Sequence, residues 1–184
     1  MQKSSLDAVF NLWSRAGALH RIPITGTSML PLIRKGDHVL VAHGSDEVRR
    51  GDVVVIRHGD KLIAHRVLRI CTDVKSHRTF ITKGDNAPQC DPPWSSSEIV
   101  GRVLSISRGE EELSLDTPFW RALGGLITCS TLVWIKLSGL RRKTRQKLLG
   151  SHCGYVAALQ RRGLHACVFS VRKILLVTLC RWKS

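Results

Sequence analysis

The apolar positions change their spacing twice along the chain. Over residues 5–19, Leu6, Val9, Phe10, Trp13 and Ala16 recur at intervals of three and four, after Ser5, a residue suited to an N-cap. This predicts one short amphipathic helix packed on the body. From residue 38 the spacing becomes that of strands. His38–Ala42, Val53–Ile56, Leu62–Ile70, Arg78–Thr82 and Ile99–Ser107 are rich in β-branched residues. Arg50-Gly51-Asp52 reads as a turn, His58-Gly59-Asp60-Lys61 as a hairpin, and Gly109 bounds the last strand. Short strands with no long helix between them predict a mainly β, largely antiparallel body.

After Pro118 the spacing changes again. Residues 122–140 carry one charge, Lys136, among apolar residues, glycines, serines and threonines. Nineteen helical residues span about 28 Å, close to the roughly 30 Å hydrocarbon core of a bilayer. The segment is therefore a weakly apolar helix, with a transmembrane, an interfacial and a docked placement all open. Arg141, Arg142, Lys143, Arg145 and Lys147 follow at once, a flank that the positive-inside rule puts in the cytoplasm. A second apolar segment, Leu164–Trp182, is interrupted by Arg172-Lys173. The pattern thus divides the chain into a β body over residues 1–118 and a basic, partly apolar helical tail over residues 119–184.

Charge sharpens that division. The formal net charge is +15, with 29 Lys and Arg against 14 Asp and Glu. The tail holds 13 of those basic residues and no acidic one, leaving the body nearly balanced at 16 to 14. Such an asymmetry points to a polyanionic partner. The tail lacks the interleaved aromatics of a single-strand-binding groove, so an anionic membrane surface is favoured over nucleic acid. The segment Met1–Asp7 has no basic run leading into an apolar stretch, so neither a cleavable signal peptide nor an N-terminal anchor is expected. The six cysteines form no Cys-x-x-Cys pair, and four lie in the tail. They are read as thiols; no metal site and no cofactor is expected.

The candidate chemistry begins at Gly26-Thr27-Ser28-Met29-Leu30-Pro31, followed by Gly36-Asp37. Alone, this is a turn with a serine. A serine hydroxyl attacks an amide only with a base in hydrogen-bond reach and donors for the oxyanion. His65 supplies a candidate base: it emerges from the apolar face that Ile63 and Val67 share, and an imidazole can both take and give a proton. Thr82-Lys83-Gly84-Asp85-Asn86 and Asp91 supply carboxylates, either of which can orient the imidazole.

These boxes, with Gly51-Asp52-Val53-Val54-Val55 and Ile99-Val100-Gly101-Arg102-Val103, occur in an order that resembles type I signal peptidases over residues 22–107. The resemblance implies a mostly β catalytic fold and a serine endopeptidase that cleaves leader peptides, borne on protein substrates, after small residues. The bacterial branch carries a lysine immediately before Arg-Val; this chain has His65 there, and so resembles the endoplasmic-reticulum and archaeal branch. By that likeness Ser28 is the nucleophile, His65 the general base, Asp91 the orienting carboxylate and Asp85 a supporting acid. Gly26 stands where some members carry a serine that assists the oxyanion hole, so the Ser28 backbone N–H is expected to serve.

Two other readings stand beside this one. A self-cleaving repressor-type regulator shares the Ser-Met start but needs a DNA-binding module and a lysine base. A non-catalytic β scaffold would use its basic tail to hold anionic lipid or nucleic acid.

Overall fold

A computed structural model describes residues 19–44 and 46–148, with side chains as far as residue 137. The elements are β1 (Leu19–Pro23), β2 (His38–His43), β3 (Val53–His58), β4 (Lys61–Thr72), β5 (Arg78–Lys83), β6 (Trp94–Ser95), a 3-10 turn (Ser96–Glu98), β7 (Ile99–Arg108), β8 (Glu111–Ser114) and α1 (Pro118–Leu148). All strand pairs are antiparallel, in the order β1-β2-β7-β3-β4-β5-β6. The edge of β7 away from β2 is shared: its first residues pair with β3 and its last with β8. The described chain is thus a mainly antiparallel β protein with one C-terminal helix. The helix expected over residues 5–19 falls almost wholly outside the described residues; Leu19, its last residue, already belongs to β1.

The strands follow from composition and burial. Val53–Ile56 is an unbroken apolar run because β3 lies mid-sheet and is buried along its first four residues. Its partner β4 enters through the hairpin His58–Lys61, where Gly59 takes φ +61°. β7 changes register against both neighbours. A Cβ on Gly101 would stand 2.0 Å from the Ala42 carbonyl oxygen, so β2 and β7 meet there only because residue 101 has no side chain.

Val48, Val54, Ile56, Val67, Phe80, Trp94 and Ile99 form a buried cluster. Phe80 is its largest fully enclosed side chain. Phe80→Ala is expected to cost about 3–5 kcal/mol of stability in a denaturant titration.

Contacts divide the chain into residues 1–128 and 129–184. The first turns of α1 belong to the first unit. Gly51, at φ +97°, and Gly124 permit this: a Cβ on Gly124 would lie 2.6 Å from the Gly51 carbonyl oxygen. The second unit contains, among the described residues, the rest of α1. The segment expected to be helical over 122–140 lies inside α1. No helix among the described residues is long and apolar enough to cross a membrane. The segment Leu164–Trp182 lies outside the described residues.

Candidate active site

Ser28 sits in the loop between β1 and β2, and that loop is pinned at both ends. Ile24 N–H donates to the Asp37 carbonyl and Gly36 N–H to the Ile24 carbonyl, both at 2.8 Å. Gly36, at φ +93°, makes the turn that closes this pair. The Asp37 carboxylate is buried and accepts from the Arg34 N–H at 2.8 Å and from Arg108 Nε and Nη2 at 2.8 and 2.7 Å. The Gly-Asp box is therefore a clamp for the serine loop, and a paired carboxylate is what makes its burial tolerable. Met29, almost fully buried, anchors the residue beside Ser28.

His65 comes from mid-β4, opposite Val54 of β3. Its Nε2 lies 3.0 Å from Ser28 Oγ, and its Nδ1 lies 2.5 Å from Asp91 Oδ2. The tautomer follows from the partners. A carboxylate oxygen accepts, so Nδ1 carries the proton and Nε2 presents its lone pair to the serine hydroxyl. Ser28 is partly exposed, while the His65 and Asp91 side chains are 9% and 15% exposed.

One loop, residues 84–93, serves both ends of this row. Asn86 N–H donates to the Ser28 carbonyl at 2.7 Å, and Asn86 Nδ2 to the Thr27 carbonyl at 3.2 Å. A Cβ on Gly84 would lie 2.7 Å from the Ser28 carbonyl oxygen and 3.0 Å from both His65 Nε2 and Ser28 Cβ. A side chain there would wedge between base and serine, so Gly84 is what lets the loop close on them.

The two candidate carboxylates separate. Asp91 meets the imidazole. Asp85, expected as a supporting acid, has its carboxylate in a two-point ion pair with Arg66, Nε to Oδ1 at 2.9 Å and Nη2 to Oδ2 at 2.6 Å. Arg66 Nη1 donates on to the Gly51 carbonyl at 2.8 Å. Arg66 follows His65 in the strand, so alternation sends it to the opposite face. Asp85 thus braces the turn before β3 rather than the imidazole. The buried Lys83 ammonium donates to the Gly84 carbonyl at 3.0 Å. Cys90, beside Asp91, has its thiol pKa raised, first by desolvation and further by the Asp91 charge; that keeps its nucleophilic form scarce.

Beside Ser28 lies a depression of about 50 Å³, walled by Ile22, Ile24, Met29, Val55, Ile63 and Ala64. Thr25, Gly26 and Ser28 also line it, so its surface is mixed polar and apolar. A second depression, between Gly51, Arg102, Trp120 and Gly124, lacks Ser28, His65 and Asp91.

Several contributors carried little sequence signal. Arg108 lies 71 residues from Asp37, and nothing local links the two. Thr82 donates from Oγ1 to Asp91 Oδ2 at 2.5 Å, and Trp94 Nε1 donates to Thr82 Oγ1 at 3.1 Å. Thr82 stood inside a motif, but Trp94 had no mark beyond its place after two prolines.

A β protein with a serine hydroxyl, an imidazole and a carboxylate in one hydrogen-bonded row has the equipment of a serine peptidase. Residues 3–104 match the Peptidase S24-like family, and the chain belongs to that family, one of serine peptidases. The match takes in Ser28, His65, Asp85 and Asp91. A search among curated proteins gave no match.

Proposed function

We propose that this chain is a serine endopeptidase of signal-peptidase type, cleaving leader peptides after a small residue. The row Ser28–His65–Asp91, at 3.0 and 2.5 Å, is the observation that carries this reading. Ser28 Oγ attacks the scissile carbonyl carbon while its proton passes to His65 Nε2. Asp91 stabilises the imidazolium that forms. The imidazolium then gives that proton to the leaving amine, releasing the first product and leaving an acyl ester on Ser28. Water, deprotonated by the same Nε2, cleaves the ester. The Ser28 N–H serves as a donor to the oxyanion. The small size of the depression beside Ser28, about 50 Å³, supports a small residue before the scissile bond. A histidine rather than a lysine base favours the leader-peptidase branch over a repressor-type self-cleaving protein.

The test is cleavage of a leader peptide by the purified protein, with product masses fixing the scissile bond. Equal cleavage by the Ser28→Ala protein would refute the reading.

The acid-free basic tail is proposed to hold the enzyme at an anionic membrane surface. The full chain is expected to float with vesicles containing phosphatidylserine at low salt and to be released as salt rises. A chain ending at residue 128 is expected to stay with the soluble fraction. Flotation of both chains alike, or of neither, removes the tail as the anchor.

A further inference from the structure

Asp91 stands near the end of the loop over residues 84–93, and a carboxylate on a loop needs holding if it is to orient a base. Three hydrogen bonds do this, all tied to Thr82. The Asp91 N–H donates to the Thr82 carbonyl at 2.9 Å, closing the loop onto the end of β5. The Thr82 hydroxyl donates to Asp91 Oδ2, the same oxygen that meets His65. The Trp94 indole donates to the Thr82 hydroxyl oxygen. Thr82 is fully buried and Trp94 nearly so.

The polarity of this row is fixed. An indole N–H only donates, so the Thr82 oxygen accepts from it. The single hydroxyl proton is then directed at Asp91. Oδ2 in turn takes the proton of His65 Nδ1, and Nε2 faces Ser28. Sheet geometry explains how a core tryptophan reaches this row. Trp94 pairs with Phe80 across β5 and β6, and Thr82 lies two residues beyond Phe80 on the same face. A diagonal neighbour is within reach of an indole.

We propose that Thr82 and Trp94 are positioning residues that set the direction of the Asp91 carboxylate, and through it the tautomer and aim of His65. This rests on the peptidase reading of Ser28 and His65. It adds a specific demand: the hydroxyl at residue 82 and the indole N–H at residue 94 govern turnover, not merely the satisfaction of buried polar groups.

Thr82→Val keeps the shape and removes the donor. With a leader peptide as substrate, kcat is expected to fall about 10- to 100-fold, because a small misdirection of the base is costly. KM is expected to stay within about twofold, since Thr82 does not line the depression beside Ser28. Thr82→Ser restores the donor and is expected to stay within about threefold of the parent. Trp94→Phe keeps the ring and loosens the hydroxyl, for a loss of about fivefold, the worth of one hydrogen bond.

The double variant Thr82→Val/Trp94→Phe separates aim from stability. Thr82→Val alone leaves the indole N–H without its acceptor and lowers Tm. Removing both partners is expected to raise Tm again while kcat stays low. If kcat recovers with Tm, the role is structural and the proposal fails. Equal kcat values for Thr82→Ser and Thr82→Val overturn it as well.

A proton NMR spectrum of the full chain supplies a readout that needs no substrate. The low-field signal of the His65 Nδ1 proton is expected to move or broaden in Thr82→Val and to return in Thr82→Ser. An unmoved signal counts against the proposal. Should Ser28→Ala still cleave, the peptidase reading falls, and this spectrum still decides whether Thr82 aims the carboxylate.

Discussion

Ser28→Ala and His65→Ala each reduce leader-peptide cleavage to near background, a loss on the order of 10⁴- to 10⁶-fold in kcat. Ser28→Ala does so with little change in Tm, whereas His65→Ala empties a buried position, leaves Asp91 without its imidazole partner and lowers Tm. The size follows from what each group supplies. Without Oγ there is no acyl intermediate. Without Nε2, 3.0 Å from Oγ, the hydroxyl must attack with its proton in place. The two losses do not add, because nucleophile and base act as one unit; the double variant is expected to be no worse than either single one. Stability is spared in Ser28→Ala because Ser28 is partly exposed and alanine suits its turn. The backbone that holds the loop, Asn86 N–H to Ser28 carbonyl and Ile24 to Asp37, does not involve the hydroxyl. Initial rates by mass spectrometry, with thermal melts on the same preparations, check both halves. Cleavage by Ser28→Ala within about tenfold of the parent assigns the chemistry elsewhere.

How far sequence reaches depends on whether a residue's partner is local. β3 and β4 were legible because period, turn chemistry and burial agree: Val53–Ile56 is continuous and central, and Gly59 marks the hairpin. β1 escaped because Leu19-His20-Arg21-Ile22-Pro23 is a short edge strand, half exposed, with a proline at its end. β6 escaped because two residues have no period. At the site, Ser28 and His65 were legible as types in sequence, since each box is short and its chemistry local. The residue type at the base position, a histidine rather than a lysine, was also readable at His65. The two carboxylates were not separable by residue type. Asp85 and Asp91 are the same residue six positions apart, and the sequence leaves open which way a loop turns after Lys83. The decision is made by Arg66 and Thr82. Each lies on a neighbouring strand, on opposite faces, and takes one carboxylate. The division at residues 128 and 129 likewise depends on a contact, Gly51 against Gly124, that no composition shift near Pro118 reveals.

Asp91→Asn and Asp85→Asn are therefore expected to fail in different ways. Asparagine at residue 91 keeps the volume but offers an amide that can donate. With an N–H of the side chain facing it, Nδ1 becomes the acceptor, the ring proton moves to Nε2, and the lone pair that Ser28 requires is gone. Inversion of the tautomer is expected to lower kcat by about 10⁴-fold with KM nearly unchanged. The amide nitrogen then stands where Oδ2 accepted the Thr82 hydroxyl, so that bond is lost as well; the residue 91 N–H to the Thr82 carbonyl still holds the loop, and Tm falls modestly. At residue 85 the order of effects reverses. The Arg66 and Asp85 side chains are 5% and 6% exposed, so loss of the carboxylate leaves a buried guanidinium half unpaired. That costs about 3–5 kcal/mol, read from denaturant titration. Activity per folded molecule is expected to stay within about tenfold of the parent, since the Ser28–His65–Asp91 row is untouched. The bidentate geometry makes Arg66→Lys resemble Asp85→Asn in stability, because an ammonium matches one carboxylate oxygen and not two. If Asp85→Asn instead loses activity as severely as Asp91→Asn while its unfolding midpoint holds, then Asp85 acts on the imidazole and the assignment of the two acids is reversed.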